Sequence, residues 1–241
     1  MAAITTEDLV FSEEELTQIH ANMTGGDELV TLRIAFQESN PHGPFESFYA
    51  YFGGDKQHVE INFDEIGQVG PAAFSSFGGQ YEKKPTNVLQ KGITWLKSFF
   101  ISPTVMRGAY LLPRTYTPSH LRPDSDPPSD PYIFLAFDIT RDQEKDLFEE
   151  CWKMHYEGFN GTGRYRSIIP GFQQTTEEGS KFCSEAVLTA LQKSNVIYSM
   201  IPSGHDSVLF DINPGSVTPH MLYHEIKDYG FEVNNQIYYD A

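Results

Sequence analysis

Cys183 is the residue of this 241-residue chain whose position best suits nucleophilic chemistry. Ser180 is a natural N-cap and an apolar helical pattern follows it, which predicts a helix over about 181–194 with Cys183 in its first turn. Unpaired N–H groups and the positive end of the helix dipole stabilise a thiolate there. The same N–H groups can hold the oxyanion of an acyl-transfer transition state. The alternative is a packing role, because cysteine is among the most buried residue types.

Cys151, the other of the two cysteines, has a different setting. It is predicted to lie in the middle of a helix, on one apolar stripe with Leu147, Phe148 and Trp152. We therefore interpret Cys151 as a core residue. Two cysteines in unlike positions make no disulfide framework, and without clustered histidines they do not indicate a zinc site. No Gly-rich phosphate loop is present, so neither a metal nor a cofactor is predicted.

A thiolate catalyst needs a base, and His58 is the strongest candidate among the eight histidines. It lies in the middle of a predicted strand over 57–63, and strand positions hold a side chain more rigidly than loop tips. Alternation places Val59, Ile61 and Phe63 on one face of that strand and the polar set His58, Glu60 and Asn62 on the other. A structural or surface role is the alternative for His58. The other histidines are assigned to turns, helix faces and the core: His20, His42, His120, His155, His205, His220 and His224.

The surrounding pattern predicts one α+β domain over residues 1–241. Residues 1–30 form an N-terminal helix and lead-in, with a capping box at Ser12 and Glu15. Thr140 with Gln143 likewise caps the helix predicted over 140–158, and Thr218 with Pro219 opens the last helix. Residues 122–131 are Pro-rich and are interpreted as a surface loop. Strands are predicted over 29–36, 45–52, 57–63 and 132–139, and helices over 13–22, 87–100, 140–158, 181–194 and 218–230.

Two segments together resemble a known family. Gln57-His-Val-Glu-Ile-Asn-Phe63 and Phe182-Cys-Ser-Glu-Ala-Val187 are similar to the motifs of the circularly permuted NlpC/P60 group of papain-like cysteine hydrolases, which includes lecithin:retinol acyltransferase-like relatives. In that group the histidine strand precedes the cysteine helix. Thr218-Pro-His-Met-Leu222 and the segment 158–165 also resemble family elements. The resemblance covers about 48–230.

The resemblance implies an antiparallel half-barrel sheet packed against the nucleophile helix. It also implies a thiol hydrolase that cleaves an amide, peptide or isopeptide bond, with Cys183 as nucleophile and His58 as base. The family usually has a third polar residue that orients the imidazole. Glu60 is the first candidate for that role, and Ser75, Ser76 and Gln80 are others. The alternatives are a lipid or acyl transferase or thioesterase with the same two residues, and a catalytically idle papain-like interaction module.

Charge and hydropathy limit the classes of partner and the cellular location that we expect for this chain. A formal net charge of −16 argues against nucleic acid as the main partner. The acidic N-terminus does not resemble a signal peptide and no apolar run has the length of a membrane span, so we expect a cytoplasmic protein. Lys91 and Lys97 on the predicted helix 87–100 could contact a membrane, but we assign them to solvent. The expected partner is a peptide, amide or acyl substrate.

Overall fold

A sheet of seven strands, all paired antiparallel, organises the chain in the computed structural model. The structure describes residues 10–38, 54–77, 108–113, 116–118, 132–160 and 179–239. The predicted strand 45–52, the predicted helix 87–100, the Pro-rich loop 122–131 and Gln80 lie outside these residues. The strands are β1 Leu29–Glu38, β2 Lys56–Phe63, β3 Ala72–Phe77, β4 Gly108–Pro113, β5 Tyr116–Pro118, β6 Tyr132–Thr140 and β7 Phe231–Tyr239. Their order across the sheet is β4-β3-β2-β1-β6-β7-β5.

Five α-helices are found in the described residues, and they confirm the predicted α+β class. They are α1 Glu13–Asn22, α2 Arg141–Lys153, α3 Cys183–Lys193, α4 Ile197–Met200 and α5 Pro219–Ile226. The predicted capping boxes are present at the starts of α1 and α2, and Thr218 caps α5 with a proline in its first turn. None of the helices in the described parts is long and apolar enough to cross a membrane.

Two predicted helix ends are wrong. The helix expected to reach residue 158 ends at Lys153, because the chain turns at Tyr156, whose φ of +68° is incompatible with a right-handed helix. The helix expected to reach residue 230 ends at Ile226. A Cβ on Gly230 would lie 2.6 Å from the Phe137 ring, so the glycine allows the chain to pass close to β6 before β7 begins.

The helices pack on one face of the sheet. Side chains opposite one another in the register, such as Phe36 with Val59 and Ile34 with Ile61, belong to the main core together with residues from all five described helices. The predicted alternation of β2 therefore holds: Val59, Ile61 and Phe63 face the helices, while His58, Glu60 and Asn62 face the other way. Glu60 and Asn62 are nonetheless buried, so β2 is covered on both faces.

His155 ties the end of α2 to the sheet and to the N-terminal segment. It is buried, as predicted, and its Nδ1 accepts a hydrogen bond from the Leu111 N–H at 3.0 Å. Its Nε2 then carries the proton and donates to the Phe11 carbonyl oxygen at 3.0 Å. The ring is therefore bound as a neutral imidazole, and burial lowers the pKa of His155 below its ordinary value of 6.5.

This arrangement predicts a loss of stability in acid. Since the pKa of His155 is lower in the folded state, the unfolded state binds the proton more readily, and the contribution present above about pH 6.5 is lost as the pH falls. We expect the free energy of unfolding in urea to drop less between about pH 7.5 and about pH 5.5 in His155→Gln than in the wild type. An equal drop in both proteins would contradict this prediction.

Candidate active site

Cys183 is the first residue of α3, and its side chain is only 2% exposed. The prediction that Ser180 caps this helix is wrong. Backbone hydrogen bonds join Gly158 to Gly179 and Lys181, which keeps the chain extended past Ser180. Phe182 is the N-cap, and its N–H donates to the Glu185 carboxylate at 3.3 Å. The helix consequently begins two residues later than predicted.

The two residues after Cys183 anchor the helix start. Ser184 Oγ donates a buried hydrogen bond of 2.6 Å to the Val217 carbonyl oxygen. Glu185 is buried as well and supplies the cap described above. Two of the three residues in Cys-Ser-Glu thus have structural roles, and they fix the backbone around Cys183 in place.

Replacing Ser184 with alanine is expected to lower the free energy of unfolding by about 1–3 kcal/mol, since the Val217 carbonyl would lose its buried partner. Urea denaturation measures the change. Ser203→Ala is the matched control, because Ser203 is exposed, and its effect should stay within about 0.5 kcal/mol. Equal effects of the two substitutions would refute the anchoring role.

Helix α3 packs against β2, which carries His58, and against β3, the next strand in the sheet. Ser76 Oγ of β3 donates 2.7 Å to the carbonyl oxygen of Lys181, two residues before Cys183. Its neighbour Ser75 places Oγ 2.9 Å from Nε2 of the half-buried His58 ring. Two adjacent serines therefore connect one strand to both the lead-in of the cysteine helix and the candidate base.

These serines lie on opposite faces of β3. Ser76 points to the face that packs against the helices, whereas Ser75 and His58 belong to the other face. Within the described residues, β2 and β3 are paired only where Ile61–Phe63 meets Ala72–Phe74, so this ladder ends three residues short of His58, which is still paired with Gln37 of β1. Helix α3 thus packs on the strands that carry His58 and Ser75, but the His58 ring lies on the face of β2 opposite that helix, so contact between the Cys183 thiol and the His58 ring stays a prediction.

Of the residues considered for orienting the imidazole, Ser75 makes the hydrogen bond to the His58 ring. Glu60 lies two positions along the same face and is fully buried, and its role stays a prediction. Ser76 holds the Lys181 carbonyl instead.

Comparison with known proteins adds nothing to this geometry. No family model, curated protein or solved structure matches this chain.

Cys151 is confirmed as a core residue. It is fully buried in α2 beside Leu147 and Phe148, and this burial raises the pKa of the Cys151 thiol well above its ordinary value. A thiol in such surroundings is inert. Both cysteines belong to the main core, but they differ as predicted in their place in the fold, one in the middle of a helix and one at a helix start.

Sequence reasoning missed one cluster of ionisable side chains. The sequence predicts no clustered histidines, and this prediction is wrong. The ring centroids of His220 and His224 in α5 are 4.3 Å apart. His220 Nδ1 lies 2.7 Å from Asp55 Oδ1. Spacing of four residues on a helix is a signal for the two histidines, but Asp55 is 165 positions away in sequence.

Proposed function

We propose that this protein is a thiol hydrolase that cleaves an amide, peptide or isopeptide bond through an acyl-enzyme on Cys183, with His58 as the general base. The observation that carries the proposal is the placement of Cys183 at the first position of α3, packed against the strands that hold His58 and its partner Ser75. A helix start supplies N–H groups for both the thiolate and the oxyanion.

The proposed reaction uses groups already described. His58 takes the proton of the Cys183 thiol, for which its ring must turn from the face of β2 opposite the helices towards the start of α3, and the sulfur attacks the substrate carbonyl carbon. The tetrahedral oxyanion is held at the start of α3, and the imidazolium returns the proton to the leaving amine as the C–N bond breaks. Water then attacks the thioester with His58 as base, which releases the acid and regenerates the thiol.

The fold proposal is a permuted papain-like arrangement, in which a half-barrel of antiparallel strands packs on the cysteine helix. Its support is the order of the elements: β2 with His58 comes before α3 with Cys183, and a helix that opens with Thr218 and Pro219 comes after both. The all-antiparallel strand pairing is compatible with it.

Alkylation tests the proposal directly. The native protein is treated with iodoacetamide over a range of pH, and the labelled cysteine is located by mass spectrometry. We expect Cys183 to react faster than a free peptide thiol at about pH 6. Cys151 is the internal control, since it is buried in the middle of α2, where no helix start stabilises its thiolate and burial raises the pKa of its thiol.

If Cys183 reacts no faster than the peptide thiol, the hydrolase proposal fails and a non-catalytic interaction module becomes the better explanation. Cys183 is only 2% exposed, so both the reagent and a substrate must gain access to the sulfur for reaction to occur. Reaction of both cysteines at equal rates would instead report unfolding. A circular dichroism spectrum of the same sample separates that outcome from true reactivity.

A further inference from the structure

Asp55, His220 and His224 form a cluster outside the proposed active site. One potential ligand atom from each residue lies within 4.8 Å of the others. His220 and His224 are four residues apart on α5 and therefore share one face of the helix. Asp55 immediately precedes β2, so the third group comes from the sheet. Imidazole and carboxylate groups at this spacing are the ligands that divalent transition metals use in proteins.

The cluster is built on two elements that pack closely. A Cβ added to Gly54 would lie 2.0 Å from the His220 ring, and Gly54 has a φ of +88°, so only glycine lets the backbone approach that ring. Helix α5 packs against β2, and Thr218 caps its start. The two histidines are thus held on a helix, and Asp55 lies in the bend directly before β2.

Charges around the cluster nearly balance. Lys56 Nζ lies 3.2 Å from Asp55 Oδ2 and 3.0 Å from Glu38 Oε1, so two carboxylates balance one ammonium. This contact engages Oδ2, and Oδ1 is the oxygen that faces His220. The start of α5 carries a positive partial charge that works against a cation, as does Lys227 near His224. Since the two carboxylates already face Lys56, the case for a metal depends on the three donor atoms and not on net charge.

We propose that Asp55, His220 and His224 bind a divalent transition-metal ion, with zinc as the first candidate. The ion would take the place of the proton that His220 and Asp55 share, and Lys56 would keep the carboxylate oriented through its other oxygen. Three protein ligands leave one position of a tetrahedral zinc site for water. Calcium and magnesium fit poorly, because they require oxygen ligands.

Bound metal would join α5 to the start of β2. Asp55 lies three residues before His58, and α5 begins beside Val217, whose carbonyl accepts from Ser184. An ion bound here would therefore connect α5 to β2, and both elements lie next to the proposed active site. The binding proposal itself does not depend on thiol chemistry at Cys183.

Isothermal titration of the purified chain with zinc chloride tests the site. We expect one equivalent to bind to the wild type, and His224→Ala and Asp55→Asn each to weaken the affinity at least tenfold. His224 and Asp55 are exposed, so both variants should fold, and thermal unfolding without metal verifies this. Zinc should raise the melting temperature of the wild type but not of these variants.

Two variants serve as matched controls. His205→Ala removes an exposed histidine outside the cluster, and Cys183→Ala removes the thiol that could also bind zinc. Both should bind zinc with wild-type affinity. The proposal is overturned if the wild type shows no saturable binding, or if His224→Ala and Asp55→Asn bind zinc as tightly as the wild type. Loss of binding in Cys183→Ala alone would assign the ion to the thiol and equally refute the cluster.

Discussion

Replacing His58 with alanine is expected to slow acylation of Cys183 by about 10²- to 10⁴-fold, the usual contribution of a general base. The reason is that the thiol would lose its proton acceptor while the helix start stays intact. The measurement is the rate of covalent labelling of Cys183 by electrophilic acyl probes, followed by intact-protein mass spectrometry. A peptide-like probe and a fatty-acyl probe are compared, and the hydrolase proposal requires faster labelling by the peptide-like one.

Three further variants test whether the loss of labelling in His58→Ala reflects the loss of a general base. Cys183→Ala should abolish labelling, and Ser75→Ala should reduce it less than His58→Ala, because Ser75 only positions the ring. His220→Ala is the critical comparison, since His220 lies in α5, which packs on the same sheet face as the cysteine helix. If His220→Ala loses labelling while His58→Ala keeps it, the assignment of the base to His58 is wrong.

Replacing Phe148 with alanine should lower the free energy of unfolding by about 3–5 kcal/mol. Phe148 is fully buried in α2, and its ring packs edge-on against Phe63 of β2 with centroids 6.1 Å apart. The substitution removes apolar contact between helix and sheet and leaves a cavity that the packed core can only partly fill. Urea denaturation followed by circular dichroism measures the change.

Phe231→Ala is the matched control for that experiment. Phe231 is 74% exposed at the start of β7, so the same chemical change there should cost less than about 1 kcal/mol. Comparable losses in the two variants would contradict the placement of the main core between the helices and the β2 face that carries Phe63.

The elements predicted best are those whose start is marked by a capping residue close by in the sequence. Ser12 with Glu15, Thr140 with Gln143, and Thr218 each supply a side-chain cap that can be recognised from a few neighbouring residues. Strand β2 was predictable for a similar reason, since alternation is a local pattern. The α+β class follows from such signals without any knowledge of pairing.

The strands that were missed lack such local signals. Ala72–Phe77 contains two alanines and two serines, and its small residues suit a strand buried between β2 and β4 rather than an alternating surface strand. The start of α3 was misplaced because tertiary hydrogen bonds from Gly158 hold residues up to Lys181 extended. Local propensity at Ser180 could not reveal that contact.

In the candidate site, too, some features could be predicted from local sequence and others depend on tertiary structure. Cys183 at a helix start was predictable from local sequence, and so was His58 in a strand. The contact of Ser75 with His58 depends on the register between β2 and β3, and that of Asp55 with His220 depends on how α5 packs. Both arise from tertiary structure, so no spacing within one segment could have indicated them.

The position of β1 in the sheet constrains the order of folding. One side of β1 pairs with β2, which lies nearby in the chain, but the other side pairs with β6, so that Leu32 meets a residue about 100 positions later. Closing so long a loop is slow, so the β1–β2 pair should form before β6 pairs with β1. During that interval the other edge of β1 is exposed and able to pair with another chain. Refolding yield should therefore fall as protein concentration rises.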